Sequence, residues 1–231
     1  MRRARGRDTG QTATARELLL DVAERLMSER GYAATPVSAV CKAADVAVTS
    51  LYWHFGSKEG LLATVMERGA QRWFAALPRW EELSGDSDER TEVILRRGAD
   101  AVAEHPVFLR LFYLLALEGA DDEVAAELVQ RVRGHATNYF RDLIAGMLTS
   151  EYGPELARAA AEELAPFAVA FSDGCFFATQ LEPTLAQPRR MYADLAAALR
   201  ALAPMAIARA RHQERPPTQH GGPECPTNAP Y

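Results

Sequence analysis

The stretch Ala44-Asp45-Val46-Ala47-Val48-Thr49-Ser50-Leu51-Tyr52-Trp53-His54-Phe55 decides how this chain is read. Ala44 to Ala47 breaks a helical pattern, and Val48 to about His54 resumes it as a short helix. Two short helices joined by a tight turn, the second at the surface, make a helix-turn-helix, whose second helix fits a DNA major groove about 12 Å wide. The groove-facing residues must be small or polar so that the backbone can approach. Val48, Thr49 and Ser50 meet that need, with two hydroxyls for base edges or phosphates and one methyl-bearing side chain for a thymine methyl. Leu51 and Phe55 point back to a small three-helix core. Tyr52 and His54 would flank the groove, where a phenol or an imidazole N–H can bond phosphate oxygens. Lys58 opens the next helix, so its charge and the local backbone amides converge on one anion.

Upstream, Thr14 to Arg30 reads as a helix with Ala15, Leu18, Leu19, Val22, Ala23, Leu26 and Met27 on one buried face. Thr14 and Glu17 have capping-box spacing, and Gly31 suits the left-handed cap at the other end. Thr35-Pro36 should begin the second helix, with Thr35 as its cap and Val37, Val40 and Cys41 on its apolar side. Ser57 caps a fourth helix that would reach about Leu77, where Pro78 stops it. Residues 1–13 read as a flexible basic arm, 14–60 as the helix-turn-helix domain, 61–211 as a larger helical domain and 212–231 as a disordered tail.

The larger part reads as long helices with short breaks: Glu89 to Glu104, Val107 to Leu117, Asp121 to Leu148, Pro154 to about Leu181 with a kink or break expected at Pro166, and Pro188 to Ala210. The last two are alanine-rich. Ala157, Ala160, Ala161, Leu164 and Ala168 on one, and Leu195, Ala198, Leu199 and Leu202 on the other, could join two subunits in a four-helix bundle or pack within one chain. The middle helices gather aromatic residues, among them Trp80, Tyr113 and Phe176, which could line an apolar cavity or fill a solid core.

Composition is ordinary for a globular chain of 231 residues, at 48% apolar and 25% charged. Net charge is −5, yet residues 1–70 carry a balance of +2 and the remainder −7, as expected of a local DNA-contacting surface on an acidic body. Three cysteines, Cys41, Cys175 and Cys225, have neither metal nor redox spacing, which points to a reducing, cytoplasmic setting. The basic start lacks a secretory h-region, and no apolar run approaches the ~18 residues of a membrane span. The motifs of helical metalloenzymes and of phosphate-binding loops are missing, and the five histidines never pair at i, i+4. No catalytic residue, metal site or cofactor is therefore expected, although an all-helical enzyme or a scaffold without DNA binding is the alternative.

The segment Ala15–Met66, with Gly31-Tyr32-Ala33-Ala34-Thr35, Ala44-Asp45-Val46 and Leu51-Tyr52-Trp53-His54-Phe55-x-x-Lys58-Glu59-x-Leu61-Leu62, resembles the N-terminal domain of TetR-family regulators. The resemblance implies an all-α fold of about nine helices, with the helix-turn-helix domain followed by a ligand-binding and dimerisation domain. It implies that Thr35, Tyr52, His54 and Lys58 hold phosphates of double-stranded DNA while Val48, Thr49 and Ser50 face bases. It also implies a homodimer on a palindromic operator, and an inducer pocket in the second domain. Candidates to line that pocket are Trp73, Leu77, His105, Phe108, Phe112, Tyr139, Phe140, Phe171, Asp173 and Phe177, around a bulky, largely apolar small molecule. Ser172-Asp173-Gly174 resembles a recurring family feature on the penultimate long helix. The chain departs from the family where Asp45 replaces the usual turn glycine and Ala47 the usual Ser or Thr cap. The expected function is a ligand-responsive transcriptional regulator, a repressor released from DNA by its effector.

Overall fold

In the computed structural model residues 9–118 and 122–213 are described, and among them the fold is carried by α-helices, with no strand. They are α1 (Thr9–Arg30), α2 (Val37–Ala44), α3 (Val48–Phe55), α4 (Lys58–Ala75), α5 (Ser87–Glu104), α6 (Pro106–Glu118), α7 (Glu123–Tyr152), α8 (Pro154–Leu181) and α9 (Pro188–Gln213), with a single 3-10 turn at Trp80–Glu82. The expected arm at 1–8, the tail beyond 213, and Gly119 and Asp121 lie outside the described residues.

The first three helices and the start of α4 close around a small core of Leu19, Leu20, Ala23, Leu26, Met27, Val40, Cys41, Leu51, Leu61 and Leu62. Two sequence expectations fail here. The first helix begins at Thr9, so Thr14 lies inside it and cannot cap it, and residues 9–13 of the expected arm are helical. Leu18 is exposed and Leu20 buried instead, because α1 packs against α2, α4 and α6 together and its buried face is turned accordingly. At the far end Gly31 takes the positive φ expected of a helix stop.

The helix α4 belongs to both halves of the molecule, so the boundary drawn at residue 60 falls within it. Its first half buries Leu61, Leu62, Val65 and Met66, and its second half carries Ala70 and Trp73 into the larger core. Ser57 caps it as expected, its side chain accepting from the Gly60 amide at 3.0 Å. Gly69, midway along α4, is where Phe108 of α6 lies against the helix: a Cβ there would meet the Phe108 ring at 2.3 Å. A side chain at this position would force the two helices apart.

Around α8 the larger half is layered, with α7 on one side and α9 on the other. Ala157, Ala160, Ala161, Leu164, Ala168, Leu195 and Leu199 are all buried inside the single chain. Their small side chains let α7, α8 and α9 approach closely, so these residues belong to intrachain packing and not to a joint between subunits. Ala198 and Leu202 are half-buried. α8 runs unbroken through Pro166, which is exposed, so the helical carbonyl left without its bond there can turn to water. By length and mean hydropathy (1.2 and 1.3) α8 and α9 are each long and apolar enough to cross a membrane, although neither holds an uninterrupted apolar run of that length. Alanine raises their average, and one face of each is used in the core.

Candidate nucleic-acid interface and buried cavity

The helix α3 is held by one side. Leu51 is fully buried and Phe55 packs on the same core, while Val48, Thr49, Tyr52 and Trp53 are exposed. The turn before it works as the sequence suggests. Asp45 adopts the left-handed conformation (φ 53, ψ 43), its amide bonding back to the Cys41 and Lys42 carbonyls, and Val46 N–H donates to the Cys41 carbonyl at 3.0 Å. Ala47 occupies the N-cap position with no side-chain bond, so the first amides of α3 stay free at the surface.

Of the residues expected to meet DNA, Val48, Thr49 and Tyr52 stand on one exposed face, with Ser50 half-buried beside them. Trp53 was missed. It is 73% exposed, the most exposed side chain of its size on this helix. Helical spacing offered the signal, since residue 53 follows Thr49 by one turn on the same face. Its ring meets His54 edge-on, with centroids 4.6 Å apart.

Two expected phosphate contacts are placed differently. Thr35 is 1% exposed, and its hydroxyl donates inward to the Gly31 carbonyl at 2.8 Å and the Leu26 carbonyl at 3.3 Å. It closes the end of α1, does not cap α2, and has no proton left for a phosphate. The N-cap of α2 is Pro36. His54 is half-buried, and its Nε2 is shut from water without a partner, so it can reach a phosphate only if the ring turns. Lys58 lies where anions would gather. Its Nζ rests 4.3 Å from the Tyr32 ring centroid and donates to the Ala33 carbonyl at 3.4 Å, which leaves further protons free. The Tyr32 hydroxyl donates to Glu59 at 3.3 Å. Burial pushes that phenol up to about 12, with the Glu59 charge adding, so Tyr32 stays neutral and keeps the cation on its ring.

Behind this head, α4 to α9 enclose a cavity of about 70 Å³. That is several times the room one water needs, but small for a bulky guest, which would have to widen it. Of the pocket candidates, Trp73, Leu77, Phe108, Phe112, Tyr139, Phe140 and Asp173 line it. His105, Phe171 and Phe177 do not. His105 ends α5 and lines a surface groove between α1 and α6, edge-on to Trp73. Phe171 is half-buried against the core beside exposed Phe167, and Phe177 lines an outer groove with Leu117. Helical periodicity places aromatics along a helix but not which of two opposed faces looks inward.

The cavity's polar groups were mostly missed. Asp173 takes a hydrogen-bonded ion pair from Arg133 and accepts the Tyr113 hydroxyl at 2.8 Å. Burial pushes the Tyr113 phenol far up, with the Asp173 charge adding, so it remains a donor. The hydroxyls of Ser172 and Tyr192 are 2.7 Å apart. Among the described residues no group of His, Cys, Asp and Glu is arranged to hold a metal ion.

Residues 19–65 match the family described as bacterial regulatory proteins, tetR family. The HTH-type transcriptional regulator AcrR of Shigella flexneri is 40% identical over 62 residues, 26% of this chain and 29% of that protein. The HTH-type transcriptional repressor KstR2 of Rhodococcus jostii (strain RHA1) is 41% identical over 59 residues, again 26% and 29%. The chain thus aligns with under a third of the length of these curated relatives. In fold, a transcriptional regulator from Saccharomonospora viridis solved in complex with choline superposes with a TM-score of 0.64 at 17% identity, over 81% of this chain and 96% of that one.

Proposed function

Because the chain belongs to the TetR family of bacterial regulatory proteins, we propose that it is a ligand-responsive transcriptional regulator, a dimeric repressor that leaves its DNA operator when a small, largely apolar effector fills the cavity. The family is one of regulators and not of enzymes. In this reading residues 14–60 bind DNA, and 61–211 bind the effector and join the subunits.

The observation that carries the reading is the exposed face of α3, with Leu51 wholly buried beneath Val48, Thr49, Tyr52 and Trp53. A short helix anchored by one residue and bare on the opposite side is built to enter a groove. Phosphates would be taken by Tyr52 and Lys58, and bases read by Val48, Thr49 and Ser50. The similarity to KstR2, named as a repressor, favours repression.

A dimer supplies the two-fold symmetry that places two reading helices in successive major grooves. The outer faces of α8 and α9 support it, since Phe167 (39% exposed), Phe177 (38%), Leu181 (78%) and Met205 (55%) leave apolar surface uncovered by the described residues. Coupling runs through α4, which holds the reading head at one end and Trp73 of the cavity wall at the other. Phe108 touches both the cavity and α4 at Gly69, and α6 also packs on α1. An effector acts only if it binds better where the two heads are wrongly spaced.

The test is a gel-shift with DNA flanking the protein's own coding region. Specific retardation should be lost in Tyr52→Ala, and Lys58→Ala should weaken all sequences alike and flatten the salt dependence by about one charge. Full affinity in both variants would remove these residues from the interface, and absence of any specific shift would end the regulator reading.

A further inference from the structure

We infer that the effector is an uncharged, mainly apolar molecule with one hydrogen-bond acceptor, and that the Ser172–Tyr192 hydroxyl pair at the α8–α9 seam receives that acceptor. The inference rests on the reading of the cavity as the effector site.

The first argument is charge. Among the residues lining the cavity, Arg133 and Asp173 are the ionised side chains, and they are paired with each other. Asp173 holds the Tyr113 hydroxyl as well. An anionic ligand would meet guanidinium N–H groups that Asp173 leaves unused, but with the Asp173 carboxylate repelling it from beside them. A cationic ligand at Asp173 would face the Arg133 charge in the same way. A pair that already balances its own charge favours neither sign. A neutral molecule leaves the pair intact.

The second argument is proton accounting. Two of the other hydroxyls on the wall are already spent: Thr91 donates to the Ser87 carbonyl at 2.6 Å, and Tyr139 donates to the Pro78 carbonyl at 3.2 Å. Ser172 and Tyr192 share one hydrogen bond between two O–H groups, so one proton is left over. Several helical threonines in this chain send their hydroxyl back to the carbonyl four residues earlier, as Thr64 does to Gly60 and Thr149 to Ala145, but Ser172 makes no such bond. With Ser172 donating, the spare proton is that of Tyr192, which is 5% exposed and shut from bulk water. Burial holds its phenol far above the ordinary value and therefore protonated. The ring is also fixed in place: it lies against Gly98 of α5, where a Cβ would come within 3.0 Å of it. A buried donor without an acceptor is costly to leave unmade, and a ligand carbonyl or ether oxygen answers it while the apolar wall takes the rest of the molecule.

Four probes of similar size separate the possibilities on the full-length protein by isothermal titration calorimetry: butyrophenone, butylbenzene, 4-phenylbutyrate and benzyltrimethylammonium. Butyrophenone should bind most tightly, about three- to tenfold better than butylbenzene, the worth of one neutral hydrogen bond. In the double variant Ser172→Ala with Tyr192→Phe, its affinity should fall to that of butylbenzene, which itself should not change. Thermal melts of the variant check its fold, and the two charged probes on the unaltered protein test the charge argument without any variant. Tighter binding of 4-phenylbutyrate or benzyltrimethylammonium than of the ketone, or an undiminished ketone affinity in the double variant, overturns the inference and leaves the cavity as effector site. Failure of all four probes to bind overturns the cavity reading and the inference with it.

Discussion

Trp53 and Arg68 show how differently single residues of similar prominence are used. Trp53 is 73% exposed on the reading helix, so its contribution to folding is small and its surface is free for DNA. Trp53→Ala should leave the melting temperature nearly unchanged, within about 0.5 kcal/mol of stability. The same change should weaken specific DNA binding by about 1–3 kcal/mol, the range of a good groove contact, as read by fluorescence anisotropy with an operator fragment. Equal affinity would remove Trp53 from the interface. Arg68, by contrast, is sunk between α4 and α1. Its side chain is 13% exposed and pairs with the equally covered Glu24 at 2.6 Å and with the more exposed Asp21 at 2.7 Å. Arg68→Met leaves Glu24 covered and without its main partner, a loss of about 3 kcal/mol. Urea unfolding should show this loss, and adding Glu24→Gln should recover part of it because the stranded charge is gone.

Elements depend on their ends as much as on their faces. The helix α3 has only 8 residues and an N-cap, Ala47, with no side-chain bond. Ala47→Ser offers an acceptor to its free amides and should stabilise the protein by about 1 kcal/mol. A calorimetric melt should move upward, and an unchanged or lower melting temperature would mean that those amides are already satisfied. Most of the helix pattern was legible from sequence, because apolar spacing and Gly, Pro and Ser punctuation act locally. Pro154–Leu181 is found at the limits read from sequence, and Asp45 turns left-handed as a short polar residue can. Thr35 shows the limit of such reading. Its position before Pro36 suggested a cap, but the chain folds back and the hydroxyl finds the Gly31 and Leu26 carbonyls at the end of α1 instead.

At the scale of the whole molecule the proposed dimer would use the outer side of α8 and α9. Of the two roles open to the α8 alanines from sequence, the structure gives them packing within one chain, and the face left over carries Phe167 and Met205. Phe167→Glu together with Met205→Glu should give a folded monomer, because both residues are exposed in the single chain and acquire charge only where a partner would lie. Sedimentation velocity should show half the mass of the unaltered protein, and operator affinity should fall with it. A variant that sediments with the unaltered protein's mass would place the joint elsewhere.

The amino-acid order alone determined that this chain is helical, where most of its helices start and stop, and that α3 is a short rod with polar and small residues beside a buried leucine. Those properties follow from i, i+3, i+4 spacing and from caps, whose partners are a few residues away. Only the tertiary structure decided which side of each long helix faces inward. That choice turned Phe177 outward, kept Phe171 off the cavity, brought Arg133, Tyr113, Ser172 and Tyr192 to one cavity, and closed Thr35 against α1. The reason is physical: a helix apolar on more than one side satisfies local rules in several orientations, and only contacts between residues distant in the chain choose among them.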